Sequence, residues 1–287
     1  MTVRGLVDYH LHTSTSRDGH ATVAEHCERA SALGLVEIAI TNHMNLLDST
    51  LHITPAVLAE VWAAIQASQL TYPDLTILLG IEIDFFDDVK DEIADLLPKY
   101  STAVGRKLDF IMGSAHVMNG VRFASKKVAH KLLVGADPIP IYKKYFEQMT
   151  RVVSSGLFDI VAHPDLIRRF VGLHTPHLPF EAYQEYASSF VDALIEFDVG
   201  IELNVKGLAH PVGAIYPTPE LLACYLDACR AAGKEPVITI GTDAHRPENL
   251  GINLDVAVRH LQEHGISEIT TYRQGVRIPF ALPDLTG

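Results

Sequence analysis

Seven times along this chain a short apolar run ends in a histidine, an acid or an asparagine, and in each case a longer amphipathic stretch follows before the next run. The short runs, read as strands, cover residues 5–13, 36–42, 76–85, 108–117, 159–162, 200–205 and 236–241. Helical periodicity covers 23–33, 55–69, 87–97, 139–156, 180–197, 219–232 and 253–264. Gly34, Gly233 and Gly265 stop three of these helices, and Pro55 opens another. Strand alternating with helix requires a parallel sheet, because each helix carries the chain back to the same edge. A last strand-like piece, 268–272, lies outside the repeat. No Pro/Ser-rich linker interrupts the pattern, so residues 1–287 are expected to form one domain.

Seven such units either lie open and doubly wound or close into a barrel. The polar residues decide between these. The first strand ends in His10 and His12, the second in Asn42-His43, and the third carries Glu82. The fourth ends in His116, the fifth in His163, the sixth in Asn204, and the seventh in Asp243 and His245. An open sheet gathers ligands mainly at one switch point, whereas a barrel draws its site from the C-terminal ends of many strands. The expected fold is therefore α/β, a distorted seven-stranded (β/α)7 barrel resembling a TIM barrel.

In the first strand, residues two apart share a face, which places Asp8, His10 and His12 on one side and Val7, Tyr9 and Leu11 on the other. Two imidazoles on one rigid face chelate a metal well, though a lone pair of this kind also fits a solvated strand. The whole set is harder to explain that way. His10, His12, Asp18, His43, Glu82, His116, His163, Asp243 and His245 give six imidazoles and three carboxylates. A metal that keeps a position open takes three or four protein ligands, so nine suit about three metals, above all if Glu82 bridges two. Mixed N/O ligands suit Zn, Mn or Fe. Three divalent ions against three carboxylates leave a site of about +3, attractive to a phosphate dianion.

Composition narrows the partners. The net charge of −12 argues against a general nucleic-acid binder, which needs a basic stripe. Cys27, Cys224 and Cys229 form no CxxC pair, which points away from a disulfide scaffold or thiolate zinc site and toward a reducing cytoplasm. No apolar run has the length of a membrane span, and the N-terminus lacks the apolar core of a signal peptide.

The motifs Asp8-Tyr9-His10-Leu11-His12-Thr13, Thr41-Asn42-His43, Gly80-Ile81-Glu82-Ile83-Asp84, Gly113-Ser114-Ala115-His116, Ala162-His163-Pro164-Asp165-Leu166 and Gly241-Thr242-Asp243-Ala244-His245 occur in that order. In them the sequence resembles the PHP (polymerase and histidinol phosphatase) superfamily, from Asp8 to about Gly251. The segments GIEIDFF, AHPDLIRRF, IELNVKGL, IYPTPELL and TDAHRPENLG are closer to its stand-alone histidinol-phosphate phosphatases than to polymerase-linked domains.

The resemblance implies three cation sites: His10, His12, Glu82 and Asp243 at the first; Glu82, His116 and His163 at the second; Asp18, His43 and His245 at the third. Asp18 stands where some relatives carry a histidine. Phosphatase relatives often have a basic residue just after an Asn-x-x-Gly segment. Here the chain reads Asn204-Val205-Lys206-Gly207-Leu208-Ala209-His210, which offers Lys206 or His210 for phosphate. Residues 118–128 also depart from that branch. The implied reaction is hydrolysis of a phosphomonoester, L-histidinol phosphate first, by water ionised between two metals, with no serine or cysteine nucleophile. A nucleotide or cyclic phosphodiester is the alternative substrate. A non-catalytic barrel would show eroded ligands instead.

Arg168 and Arg169 follow the His163 loop, and one of them is expected to grip phosphate as a guanidinium fork. Asn204 and Lys206 complete the expected substrate contacts. Arg246 serves a structural carboxylate as readily as substrate, and Asp165 fits either a supporting partner for a histidine or an ordinary loop acid. His26, His130, His260 and His264 lie on or beside helices and are expected at the surface. His52, His174, His177 and, the resemblance aside, His210 are expected in loops without contact to substrate, and His20 is expected as a loop histidine, a ligand role beside Asp18 being the alternative. The stripes Val57-Val61-Ile65 and Leu221-Tyr225 are expected in the core.

Overall fold

The computed structural model describes residues 3–86, 89–118, 121–123, 125–171, 173–174 and 176–285. Seven parallel strands form its centre: β1 (Val7–Leu11), β2 (Glu37–Ile40), β3 (Thr76–Asp84), β4 (Phe110–Ser114), β5 (Ile160–Val161), β6 (Gly200–Asn204) and β7 (Ile238–Gly241). They pair in chain order. The sheet closes where His12 N donates to Ala244 O (2.9 Å) and Ala244 N donates to His10 O (3.1 Å). The expected seven-stranded barrel is thus the fold observed. Near-continuous apolar strands are what a parallel sheet covered by helices demands.

The helices are α1 (Val23–Leu33), α2 (Pro55–Thr71), α3 (Lys90–Val104), α4 (Lys126–Leu133), α5 (Pro138–Ser154), α6 (Gln184–Phe197), α7 (Pro219–Ala232) and α8 (Leu254–Glu263). Local signals set their ends. Thr22 and Glu25 form a capping box on α1, and Gly34 closes it at φ 73°. Thr218 caps α7, which opens on Pro219 and closes on Gly233. The helix expected over 87–97 is α3, whose described part runs on to Val104 through Pro98. Its buried Ile93, Tyr100 and Val104 continue one stripe past the proline, so packing outweighs the lost backbone bond. Residues 87 and 88 lie outside the described residues. The stretch 180–182 is a 3₁₀ turn, and the helix proper begins at Gln184. No helix among the described residues is long and apolar enough to cross a membrane. Cys27, Cys224 and Cys229 are all free thiols.

The C-terminal piece expected as one strand is an antiparallel hairpin, β8 (Glu268–Arg273) and β9 (Val276–Ala281). It covers the end of the barrel where the strands begin. Gln274 N donates to Asp109 Oδ1 (3.0 Å), Gly275 N donates to Asp109 O (2.8 Å), and Arg273 pairs with Glu37. Tyr272 packs on Phe110 at 5.4 Å between ring centroids, and Phe110 packs on Tyr9 at 5.3 Å. This aromatic stack fills one end of the barrel and leaves the other for polar groups.

Strict alternation along β1 does not hold. Tyr9 reaches Phe110 on β4 and His10 reaches Glu82 on β3, so both project across the interior although they are adjacent. The strand register slips between Asp8 and Leu11, and that irregularity turns consecutive side chains the same way. Asp8 turns to the seam instead. It accepts from Thr242 N (2.9 Å), Thr242 Oγ1 (2.6 Å) and Gly251 N (3.2 Å), tying β1 to the segment after β7.

An Asp8→Asn protein must aim an amide NH₂ at one of these donors. We expect it to lose ~1–3 kcal/mol of stability, read as a lower thermal midpoint with an unchanged far-ultraviolet circular dichroism spectrum at low temperature.

Candidate metal centre

The C-terminal ends of the strands meet around one carboxylate. Glu82 lies near the end of β3 and has no exposed surface. Its Oε2 is 2.8 Å from His43 Nδ1, 3.3 Å from His10 Nε2 and 3.6 Å from His12 Nε2. Its Oε1 is 3.1 Å from His163 Nε2 and 3.8 Å from His116 Nε2. Backbone register sets part of this: the two-residue strand His43–Met44 pairs with β3 and places His43 directly beside Glu82. Asp243 Oδ1 stands 3.2 Å from His12 Nε2, 3.3 Å from His245 Nδ1 and 3.8 Å from His10 Nε2. Asp18 Oδ2 stands 3.4 Å from His43 Nε2 and 3.6 Å from His245 Nε2. All nine residues marked in the sequence as metal ligands thus fall in one cluster.

His163 and Asp243 hold positive φ angles of 30° and 50°. Non-glycine residues in that region cost about 1–3 kcal/mol each and persist where the surroundings fix them. Both lie just beyond a strand end, where the chain must turn a ligand-type side chain inward.

Carboxylates outside the nine orient several of the imidazoles. Glu202 Oε1 lies 2.8 Å from His10 Nδ1, and its Oε2 accepts from His163 N (2.8 Å). Asp84 Oδ1 lies 2.9 Å from His116 Nδ1 and accepts from His116 N (2.9 Å). Such partners fix the ring and leave the far nitrogen free to coordinate. Neither acid stands out in the sequence as a ligand. The available signal was spacing: Asp84 stands two residues from Glu82, and Glu202 two from Asn204, each near a strand end. His26 is a correction. Expected at the surface, it is wholly buried, with Nε2 3.0 Å from the carbonyl of His12, so it braces the strand end from α1.

Among the described residues, His10 Nε2, both ring nitrogens of His12, His163 Nδ1 and Glu82 Oε2 are buried without a well-aligned hydrogen bond, although several of them face one another, His43 or Asp243 at 2.8–3.6 Å. Buried polar atoms are normally satisfied. Imidazole nitrogens and carboxylate oxygens converging at 3–4 Å suit divalent cations, and among the described residues four triads lie close enough to share one. These are His12-His43-His245, His10-His12-Asp243, His10-Glu82-His163 and His43-Glu82-His116.

The electrostatics say the same. Burial disfavours a charge on His10, yet Glu202, Glu82 and Asp243 together hold its pKa well above the ordinary range. His43 is likewise buried, and Glu82 and Asp18 push it up to about 10. Burial and the neighbouring His43 and His245 drive His12 well below its usual value. Burial works against ionising Glu82, but His43, His10 and His116 hold it well below the usual carboxylate range. The carboxylates therefore demand positive charge, from protons or from metal ions.

Above the cluster opens a cleft of about 370 Å³, within the range of small-ligand sites. Asp18, His43, His116, Asp243 and His245 line it, together with Arg122, Ser125, Arg169, Lys206 and His210. The two neighbouring arginines differ. Arg169 faces the cleft, whereas Arg168 pairs with the buried Asp165 at 3.3 Å and is not among the lining residues. Lys206 Nζ donates to the Asp243 carbonyl (2.6 Å). Asn204 lies beneath the wall, and its Oδ1 accepts from Lys206 N (2.9 Å). Arg122 was not singled out in the sequence. It stands on a two-residue strand beyond β4, paired with Asp48 at 3.2 Å, where no periodicity announces it.

Comparison with known proteins gives a consistent picture. The PHP domain family profile matches residues 8–206. A probable histidinol-phosphatase of Deinococcus radiodurans is 27% identical over 271 residues, covering 93% of this chain and 96% of that protein. The histidinol-phosphatase of Bacillus subtilis is 25% identical, covering 85% and 95%. In structure, histidinol phosphate phosphatase from Lactococcus lactis, solved with Zn, L-histidinol and phosphate, superposes with a TM-score of 0.79 at 20% identity, covering 95% and 98%.

Two outcomes are expected. Glu82→Gln strips the cluster of its shared anion and loses bound metal, while Glu202→Gln weakens affinity by roughly 10–100-fold; both are read by elemental analysis and metal titration. Because His10 and His43 hold protons above their ordinary range, cations must displace them. Metal affinity of the stripped protein should therefore keep rising with pH until His43 loses its proton at about 10, with proton release seen as a buffer-dependent calorimetric heat.

Proposed function

The chain belongs to the PHP domain family, and from that premise we propose that it is a metal-dependent phosphomonoesterase that converts L-histidinol phosphate to L-histidinol and phosphate. One observation carries the reading: a fully buried carboxylate, Glu82, meets five imidazoles at the floor of a cleft whose wall bears Arg122, Arg169 and Lys206. The names of the curated relatives and the histidinol and phosphate bound by the Lactococcus enzyme support the choice of substrate.

We assign three divalent cations, Zn, Mn or Fe. His10, His12, Glu82 and Asp243 hold the first. Glu82, His116 and His163 hold the second. Asp18, His43 and His245 hold the third. Bound there, such ions lower the pKa of water and offset phosphate charge. The chain's own residues do the rest. Arg169 meets no carboxylate among the described residues and lies over the Phe170 ring (5.5 Å), so its guanidinium is free to grip a phosphoryl oxygen. Lys206 anchors Asp243 from behind while lining the cleft, and Asn204 caps the turn that carries it. Arg168 and Asp165 hold the loop from which Arg169 projects. Three free cysteines fit the reducing cytoplasm as the setting.

The test is phosphate release from L-histidinol phosphate by Zn- or Mn-loaded enzyme, set against nucleotides and cyclic phosphodiesters. A clear preference for nucleotides would overturn the substrate assignment. Replacing Arg169 by alanine should raise KM roughly 10–100-fold through loss of a charge-assisted bond of about 1.5–3 kcal/mol, with metal content unchanged.

A further inference from the structure

His210 closes the 3₁₀ turn Val205–Ala209, which follows β6, and lines the cleft. Its Nδ1 lies 3.0 Å from Tyr216 Oη. Tyr216 has no exposed surface, and its backbone is bonded both ways to Asn204 (2.7 and 2.9 Å). The turn rests directly on this tyrosine. A Cβ added at Gly207 would fall 2.0 Å from Ala214 O and 3.0 Å from the Tyr216 ring, so the turn packs against both with no room for a side chain at that position.

A buried phenol needs an acceptor for its proton. A neutral imidazole offers one bare nitrogen and one N–H. The Tyr216 hydroxyl therefore donates to Nδ1, which places the His210 proton on Nε2. We propose that His210 is a substrate-contacting residue that presents this fixed Nε2–H to a phosphoryl oxygen, and that it acts as a neutral donor without transferring its proton. The proposal rests on the phosphomonoesterase reading of the cleft.

The surroundings favour a neutral ring. Burial, Arg169, Lys206 and His163 all disfavour an imidazolium, and they outweigh Asp243, so the ring titrates only near about 3. A relay through Tyr216 is closed as well. Burial and Asp165 hold the phenol well above its ordinary range, so passing its proton through His210 would strand a buried phenolate. A neutral N–H donor is still worth having, because bonds to charged acceptors are about twice as strong as neutral ones.

The test compares His210→Ala, His210→Gln and Tyr216→Phe in the metal-loaded enzyme. Glutamine restores a neutral N–H donor but has no proton to give. The readouts are competitive inhibition by inorganic phosphate and kcat/KM on p-nitrophenyl phosphate and L-histidinol phosphate, which differ in leaving group. We expect His210→Ala to weaken phosphate binding roughly tenfold and to slow both substrates by the same factor. His210→Gln should recover most of that loss, and Tyr216→Phe should fall between alanine and wild type. Unchanged phosphate inhibition in His210→Ala would overturn the contact. A loss confined to the alkyl ester, with glutamine no better than alanine, would overturn the neutral-donor role in favour of proton transfer. Tyr216→Phe equal to wild type would overturn the fixing of the tautomer. Wild-type hydrolysis of p-nitrophenyl phosphate without hydrolysis of histidinol phosphate would sink the substrate assignment alone and leave the His210 comparison intact.

Discussion

A carboxylate with no exposed surface is expensive. Taking an ion out of water costs several kcal/mol even after relaxation, and the cost is offset only by close opposite charge and hydrogen bonds. Glu82 faces that cost in the middle of the barrel, and the surrounding architecture answers it. Five imidazoles from four different strand ends or loops come within 4 Å of its two oxygens. None of these rings is near another in sequence except His10 and His12. Only a closed parallel sheet brings so many C-terminal strand ends to one point. An open sheet of the same seven units would leave the first and last strands apart, and Asp243 and His245 would then lie far from His10 and His12. The short closure at His10, His12 and Ala244 is thus what completes the cluster.

The two ends of the barrel divide the labour. At the end where strands begin, Tyr9, Phe110 and Tyr272 stack, and the β8–β9 hairpin seals them from water. At the other end the same interior becomes a layer of imidazoles and carboxylates. The change happens within β1, between Tyr9 and His10. A regular strand would send one of the two outward, and the register slip spares the molecule that choice. Glu202 then works from β6, bonding the His10 ring and the His163 backbone at once, so one carboxylate ties two separate strand ends together.

Much of this was legible in the sequence, for a physical reason. Strand ends in a parallel barrel share one rim, so a list of strand-final residues is already a list of neighbours. That logic recovers the fold and brings eight of the nine ligand-type residues into one cluster; Asp18, in the loop after β1, is reached only through the family resemblance. It fails where the rim is not built by strands. Arg122 comes from a short excursion after β4 that has neither periodicity nor length, and no sequence pattern says which way it folds. It fails too for the supporting layer. Asp84 and Glu202 look like ordinary strand acids until their neighbours are known. His26 lies in a helix with Glu25 and Glu28, which reads as a solvated face; only the packing of α1 under the His12 carbonyl shows otherwise.

The charge layout bears on how a substrate would enter. The chain as a whole is acidic, at −12, yet the cleft wall carries Arg122, Arg169 and Lys206, and the carboxylates among its lining residues belong to the cluster at its floor. With cations on that floor, as assigned above, an anion is drawn inward along the whole depth of the cleft, because field lines concentrate in a low-dielectric recess. The three basic groups are not equivalent. Asp48 holds Arg122, and the Asp243 carbonyl holds Lys206, so each gives up part of its donor capacity to the protein. Arg168, one residue earlier, takes the Asp165 carboxylate, while Arg169 meets no carboxylate among the described residues. The tandem arginines therefore divide the work: one fixes the loop to the core, and the other lines the cleft where a phosphoryl group would bind.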